Sequence, residues 1–303
     1  MVLRTAWARF WELFRKPAVP ASFVNVFRAL HNWHHSQKIS VERVIITSDQ
    51  VPEEFSGFRI ILLTDFHGRV LNLDAPGGAD ISRFMPDIIC LGGDYVNSKP
   101  EEARPLRPML QALSDLAPTY GVSGNHDHLA GWPAVSAILT ECGVQVLSNR
   151  SVLIEKDGAK LWLAGVNDPA SGYDDLATAL PHGQNGPIVC LAHSPSWFVH
   201  NRNPLPKQVF LVLAGHTHGG QIKLPLIGAV TNATGMLFPR RLVEGLSCEG
   251  HTWLYINRGL GYTKIPMRFM SPAEITLITL NRAESVLQQQ ERRRKSHYES
   301  HPH

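Results

Sequence analysis

Five short apolar runs in this chain of 303 residues each run into a polar cluster, and that repeated junction constrains the fold more than any other feature. Phe58–Thr64 leads into Asp65-Phe66-His67, and Asp87–Leu91 into Gly93-Asp94. Thr119–Val122 leads into Gly124-Asn125-His126-Asp127, Ile188–Ala192 into His193, and Gln208–Leu213 into Gly215-His216-Thr217-His218. Runs of this length are strands rather than helices. Further strands are expected at Val41–Ser48, Val144–Leu147, Ser151–Glu155, Lys160–Val166, Trp253–Asn257 and Glu274–Leu280, with helices at Ile81–Met85, Arg104–Leu116, Pro133–Cys142 and Tyr173–Leu180. The alternation predicts an α/β layered architecture, and its meander-like stretches favour a two-sheet β-sandwich flanked by helices. Ligand sites in α/β sheets gather at strand C-terminal ends, so all five clusters are expected to line one crevice.

The residue types in that crevice suit a dinuclear metal centre. Asp-x-His sends two ligands to one ion, a carboxylate can bridge two ions, an Asn oxygen is a hard neutral donor, and three more histidines supply imidazole. Mixed nitrogen and oxygen ligation without thiolate suits Mn, Fe, Zn or Co better than Mg or Ca. Gly93, Gly124 and Gly215 permit the tight turns that aim these side chains inward. A Gly-Asp pair or a His-x-His alone signifies little. Five such clusters in this order, each at a strand end, are a specific signal.

In order, Asp65-x-His67, Gly93-Asp94, Gly124-Asn125-His126-Asp127, His193 and Gly215-His216-x-His218 resemble the full signature of the calcineurin-like metallophosphoesterases, across about Val44 to Leu280. The resemblance implies a two-sheet β-sandwich with flanking helices and two divalent transition-metal ions, Mn first, with Fe or Zn as alternatives. It places Asp65, His67 and His218 on one ion, Asn125, His193 and His216 on the other, and Asp94 between them. Gly215–Ile222 with Leu224-Pro225, Asn257–Gly261 and Pro272–Leu277 resemble the bacterial branch that holds YaeI and YkuE and includes the chlamydial-type UDP-2,3-diacylglucosamine pyrophosphatase. Phe66 and the Gly68-Arg69 that follows His67 depart from the commoner pattern and leave the ligands intact.

Within that frame His126, next to Asn125, is the expected general acid for the leaving oxygen, with Asp127 holding its imidazole in the right tautomer. Arg69, Asn167 and Arg258 are candidate substrate contacts, because they adjoin motif residues or a strand end, with a structural salt bridge the equal alternative for each arginine and a plain turn for Asn167. Three functional classes follow. One is a hydrolase of phosphodiester or pyrophosphate bonds on a lipid-linked substrate such as UDP-2,3-diacylglucosamine, yielding lipid X and UMP. A second acts on small soluble phosphoesters. The third, a non-catalytic binding module, is disfavoured because the ligand set and His126 are all present.

The two ends of the chain differ from its middle. Residues 1–43 carry seven basic residues against two acidic, and residues 282–303 carry five against three, while the net charge of the whole is +3. The stretch between them is therefore net acidic, which argues against a nucleic-acid binder. Leu3, Trp7, Phe10, Trp11 and Phe14 share one helical face, and Phe23, Val26, Phe27, Leu30 and Trp33 share another. Residues 1–40 are read as amphipathic helices suited to an anionic membrane surface, 41–281 as the catalytic domain, and 282–303 as a charged tail. Arg4, Arg9, Glu12, Arg15 and Lys16 interrupt every apolar stretch, so neither a signal peptide nor a membrane span is expected. The expected location is cytoplasmic, peripheral at the inner face of the cell membrane. Cys90, Cys142, Cys190 and Cys248 form no CxxC pair, so no cysteine metal site or disulfide framework is expected.

Overall fold

The computed structural model describes residues 39–71, 80–181, 183, 186–201, 205–224, 228–229 and 242–283. The amphipathic segments of residues 1–38 and the tail from residue 284 lie outside the described residues.

Two six-stranded sheets face each other. The strands are, in chain order, β1 (Ser40–Ser48), β2 (Phe58–Leu63), β3 (Ile88–Leu91), β4 (Thr119–Gly121), β5 (Gln145–Val146), β6 (Arg150–Lys156), β7 (Ala159–Val166), β8 (Ile188–Ala192), β9 (Val209–Ala214), the short pair β10 (Lys223–Leu224) and β11 (Gly228–Ala229), then β12 (Gly245–Glu249), β13 (Thr252–Ile256) and β14 (Glu274–Arg282). The first sheet has the order β1-β14-β2-β3-β4-β5 and the second β12-β13-β9-β8-β7-β6. Strands β2 to β5 run parallel, as do β7, β8, β9 and β13. The edge strands β6 and β12 pair antiparallel with their neighbours. The expected α/β two-sheet architecture is observed.

Alternation along β2 shows how the layers form. Ile60 and Leu62 turn into the core between the sheets, where they meet Leu163, Leu191, Phe210 and Leu213 from the second sheet. Ile61 and Leu63 turn the other way, toward the helices α1 (Arg107–Leu116) and α3 (Trp132–Glu141), against Leu110, Leu113 and Leu139. Because both faces are covered, the strand reads as a continuous apolar run. The outer face of the second sheet is covered in the same way by α4 (Leu176–Ala179) and α5 (Pro195–Asn201), with Trp197 and Phe198 fully buried. Each such large apolar side chain contributes about 1.5–3 kcal/mol on burial.

Several expected boundaries shift. The helix expected from Arg104 begins as α only at Arg107, after a 3-10 stretch Pro100–Leu106 in which Pro105 has no amide to donate. The helix expected at Tyr173–Leu180 shortens to Leu176–Ala179, entered through Gly172 in the left-handed region and capped by the Asp175 side chain. Elements with no counterpart in the expected pattern include β12, the short pair β10 and β11, and the helix α2 (Asn125–Ala130) that starts within a motif.

Candidate metal centre

The C-terminal ends of β2, β3, β4, β8 and β9 bring the five polar clusters together between the two sheets. Asp65, His67 and His218 place ligand atoms within 4.8 Å of one another, and so do Asp94, His193 and His216. Asp94 links the two groups. Its Oδ2 lies 3.6 Å from His67 Nε2 and 3.2 Å from His193 Nε2. Its Oδ1 accepts the His126 amide at 2.9 Å, which fixes the carboxylate and leaves Oδ2 for both groups.

The backbone is bent to achieve this. Asp65, His67, Asp94, His216 and His218 all have positive φ, between 46° and 69°. For residues with a Cβ this conformation costs on the order of 1–3 kcal/mol each and persists only where surrounding contacts enforce it. Gly215 is part of that enforcement, since a Cβ there would stand 2.5 Å from Asp65 Oδ2. The His216 amide then donates to both Asp65 oxygens, at 3.1 and 3.0 Å.

Two of the imidazoles are oriented from behind. His193 Nδ1 donates to the Gly92 carbonyl at 2.7 Å, which turns Nε2 toward Asp94 and His216 Nδ1, the latter at 3.0 Å. His218 Nδ1 receives a hydrogen bond from Arg268 Nη2 at 3.1 Å, and its Nε2 faces His67 Nε2 at 3.1 Å and Asp65 Oδ1 at 3.5 Å. Burial holds His67 down to about 4 and His216 down to about 3, and it keeps His218 well below the ordinary histidine range with help from His67. Burial would lower His193 too, but the Asp94 carboxylate outweighs it and raises that histidine. Burial would raise Asp94, yet His193, His67 and His126 together hold it well below the usual carboxylate range. Asp65 has no such surplus of cations, and burial raises it to about 6.

A pair of divalent ions fits these residues. Three neutral imidazoles and two carboxylates converge with nitrogen atoms close to 3 Å apart, a contact that two lone pairs tolerate only with a proton or a cation between them. Asn125 supplies a second sign. Its Oδ1 is buried and has no hydrogen-bond partner among the described residues. Such an orphaned acceptor costs about 1–3 kcal/mol, and a cation would remove that cost.

The remaining expected site residues divide. His126 stands beside the centre, its ring 4.9 Å from that of His67 in an edge-on arrangement. Its Nδ1 donates to the Asn97 carbonyl at 2.6 Å, so the tautomer is set there and not by Asp127. The Asp127 expectation is corrected accordingly: its carboxylate accepts the amides of Gly124, Asp94, Tyr95 and Val96, at 2.8, 2.8, 2.8 and 3.3 Å. Asp127 therefore holds the turn that carries Asp94 against the start of α2. Arg258, expected near phosphate, is instead an ion-pair residue. Its Nε lies 2.8 Å from Glu274 Oε2, and Glu42 and Glu244 take the rest of the guanidinium. Arg69 donates to the Leu260 carbonyl at 2.6 Å and pairs with no carboxylate among the described residues. Asn167 braces the rim, receiving Ser123 Oγ–H at 3.3 Å and donating to the Tyr173 carbonyl at 3.4 Å.

Arg268 escapes a reading of the sequence. It is 1% exposed, and its guanidinium donates to the carbonyls of Gly261, His218, Ser271 and Arg258 as well as to His218 Nδ1. Burial lowers it to about 9. It ties the His218 turn to the 258–271 segment, and no local motif marks a lone arginine between Met267 and Phe269.

Comparison with known proteins agrees with this geometry. The profile described as "Calcineurin-like phosphoesterase" matches residues 58–220. The chain is 32% identical to the metallophosphoesterase YkuE of Bacillus subtilis, over 78% of this chain and 83% of the relative. It is 31% identical to the phosphodiesterase YaeI of Escherichia coli, over 74% of this chain and 82% of the relative. A transmembrane protein with metallophosphoesterase domain from Danio rerio is 28% identical, over 82% of this chain and 59% of the relative. Among solved structures, a 5'-nucleotidase precursor from Thermus thermophilus aligns over 73% of this chain and 54% of that one, with 12% identity and a TM-score of 0.44. The profile match spans the strands that carry every candidate ligand, and with two bacterial relatives above 30% identity it makes the chain a member of the calcineurin-like phosphoesterase family and a phosphoester hydrolase.

Proposed function

We propose that the protein hydrolyses phosphodiester or pyrophosphate bonds with two divalent transition-metal ions, Mn first, with Fe or Zn as alternatives. The single oxygen of Asp94 that faces both ligand groups carries this reading. Asp65, His67 and His218 would hold one ion, and Asn125, His193 and His216 the other. When bound, such a pair supplies Lewis acidity to the phosphoryl oxygens and lowers the pKa of the attacking water.

The chain's own residues do the rest. With its Nδ1 proton committed to Asn97, His126 leaves Nε2 to take a proton from solvent and, as the imidazolium, to pass it to the leaving oxygen, returning to the neutral ring. Asp127 keeps Asp94 and α2 in register through four amides. Arg69, two residues beyond His67 and without a carboxylate partner among the described residues, is the proposed phosphate contact.

For the substrate we propose a lipid-linked nucleotide, such as UDP-2,3-diacylglucosamine cleaved to lipid X and UMP at the cytoplasmic face of the cell membrane. The aromatic stripe of Leu3, Trp7, Phe10, Trp11 and Phe14 beside basic residues supports this. Among the described residues no helix is long and apolar enough to cross a membrane. The second reading is a phosphodiesterase or phosphatase for small soluble phosphoesters, its phosphodiesterase side supported by the likeness to the phosphodiesterase YaeI. Mn-loaded protein incubated in parallel with UDP-2,3-diacylglucosamine and bis(p-nitrophenyl) phosphate, with and without anionic liposomes, separates them. Release of UMP that rises with liposomes supports the lipid-linked substrate. Cleavage of the soluble diester alone selects the second reading, and cleavage of neither overturns both.

A further inference from the structure

His126 and His128 are two residues apart on α2, which puts them on nearly opposite sides of the helix. His126 faces the loops that follow β2 and β3, through His67 and the Asn97 carbonyl. His128 shares its side with Asn125, one turn earlier, and faces the loops that follow β4 and β7. Its Nε2 is 2.8 Å from Ser123 Oγ, and its ring stacks on Tyr173 at 5.4 Å and 22°. Trp132 lies behind, 6.0 Å from the same imidazole.

Tyr173 is held in place yet open. Its carbonyl receives the side-chain amides of Asn149, at 2.7 Å, and Asn167, at 3.4 Å, while the residue is 64% exposed. The same loop carries a buried acceptor. Asp168 is fully buried, its Oδ2 accepts the Ala170 amide at 2.9 Å, and its Oδ1 has no donor among the described residues.

We infer that the His128–Tyr173 stack is a subsite for a planar aromatic ring, a nucleobase, carried on the ester group that stays on phosphorus. This deepens the phosphodiesterase reading and rests on it. With His126 serving the leaving oxygen on one side of α2, the retained group lies on the other, where the exposed Tyr173 face is a stacking platform. A nucleobase has the matching π-face, and base–aromatic stacking of this kind is worth about tenfold or more in affinity.

The test compares two diesters with the same leaving group, thymidine 5'-(p-nitrophenyl) phosphate and methyl p-nitrophenyl phosphate. The full chain, Mn-loaded, is expected to favour the thymidine ester, chiefly through a lower KM. Tyr173→Ala should reduce the ratio of the two kcat/KM values about tenfold, and Tyr173→Phe should keep it. A ratio near one in the unaltered protein, or a ratio unmoved by Tyr173→Ala, overturns the subsite while leaving the phosphodiesterase reading intact. Failure to cleave either ester overturns the phosphodiesterase reading itself.

Discussion

Gly124 lies against Asp94 so closely that a Cβ on Gly124 would stand 2.1 Å from the Asp94 Oδ1. The Gly124 backbone, at φ −108° and ψ 174°, is one that any residue adopts, so the requirement is for space alone. The same Cβ would stand 2.6 Å from the Asp94 backbone nitrogen, so Gly124→Ala is expected to displace the Asp94 backbone as well as its carboxylate. Elemental analysis should show clear loss of metal, with activity down at least about 100-fold. Full metal content in this variant would contradict the assignment of Asp94.

Asp94 and Asn125 predict different stoichiometries. Asp94→Ala removes the oxygen that faces both groups, so both ions should be lost. Asn125→Ala removes a donor to one group only, and about one equivalent should remain. Identical metal content in the two variants would argue against a shared carboxylate.

His126 and Asp127 are neighbours with separable duties. His126→Ala should keep its metals and lose on the order of 10²–10⁴-fold in turnover on a poor leaving group, with a smaller loss on p-nitrophenolate. Asp127→Ala strands four amides, three of them tightly held, at about 1–3 kcal/mol each when buried without a partner. It should lower the melting temperature by about 10 °C and release metal. Were Asp127→Ala to lose turnover alone, the tautomer role would have to be restored to it.

The strands that carry the site and the gathering of their polar clusters are legible in the sequence, because those strands are apolar on both faces and each cluster of candidate ligands sits at a strand's C-terminal end. Local pattern carries that much. It does not carry tertiary partners. Asp127 adjoins His126 in sequence and reads as its partner, while the bond actually made goes to Asn97, whose closeness depends on how the loop after β3 packs over α2. Arg258 adjoins a motif and reads as a phosphate contact, but Glu42, Glu244 and Glu274 meet it from distant parts of the chain. Arg268 leaves no signal, since a buried arginine bonded to carbonyls has no characteristic spacing. Strand β12 escapes because, as an edge strand with every residue partly or largely exposed, it lacks an apolar run.

Strand β14 lies between β1 and β2, antiparallel to β2 and parallel to β1. During synthesis Asp65, Asp94 and Asn125 therefore leave the ribosome long before the strand that completes their sheet. Until residue 282 has emerged, β2 presents an unpaired apolar edge, the kind of edge that pairs with other chains. Any chain that stops short of Glu274 keeps every candidate ligand in its sequence and still lacks the strand that joins β1 to β2, so the last described segment governs whether newly made protein reaches its metal-binding form or is lost to aggregation.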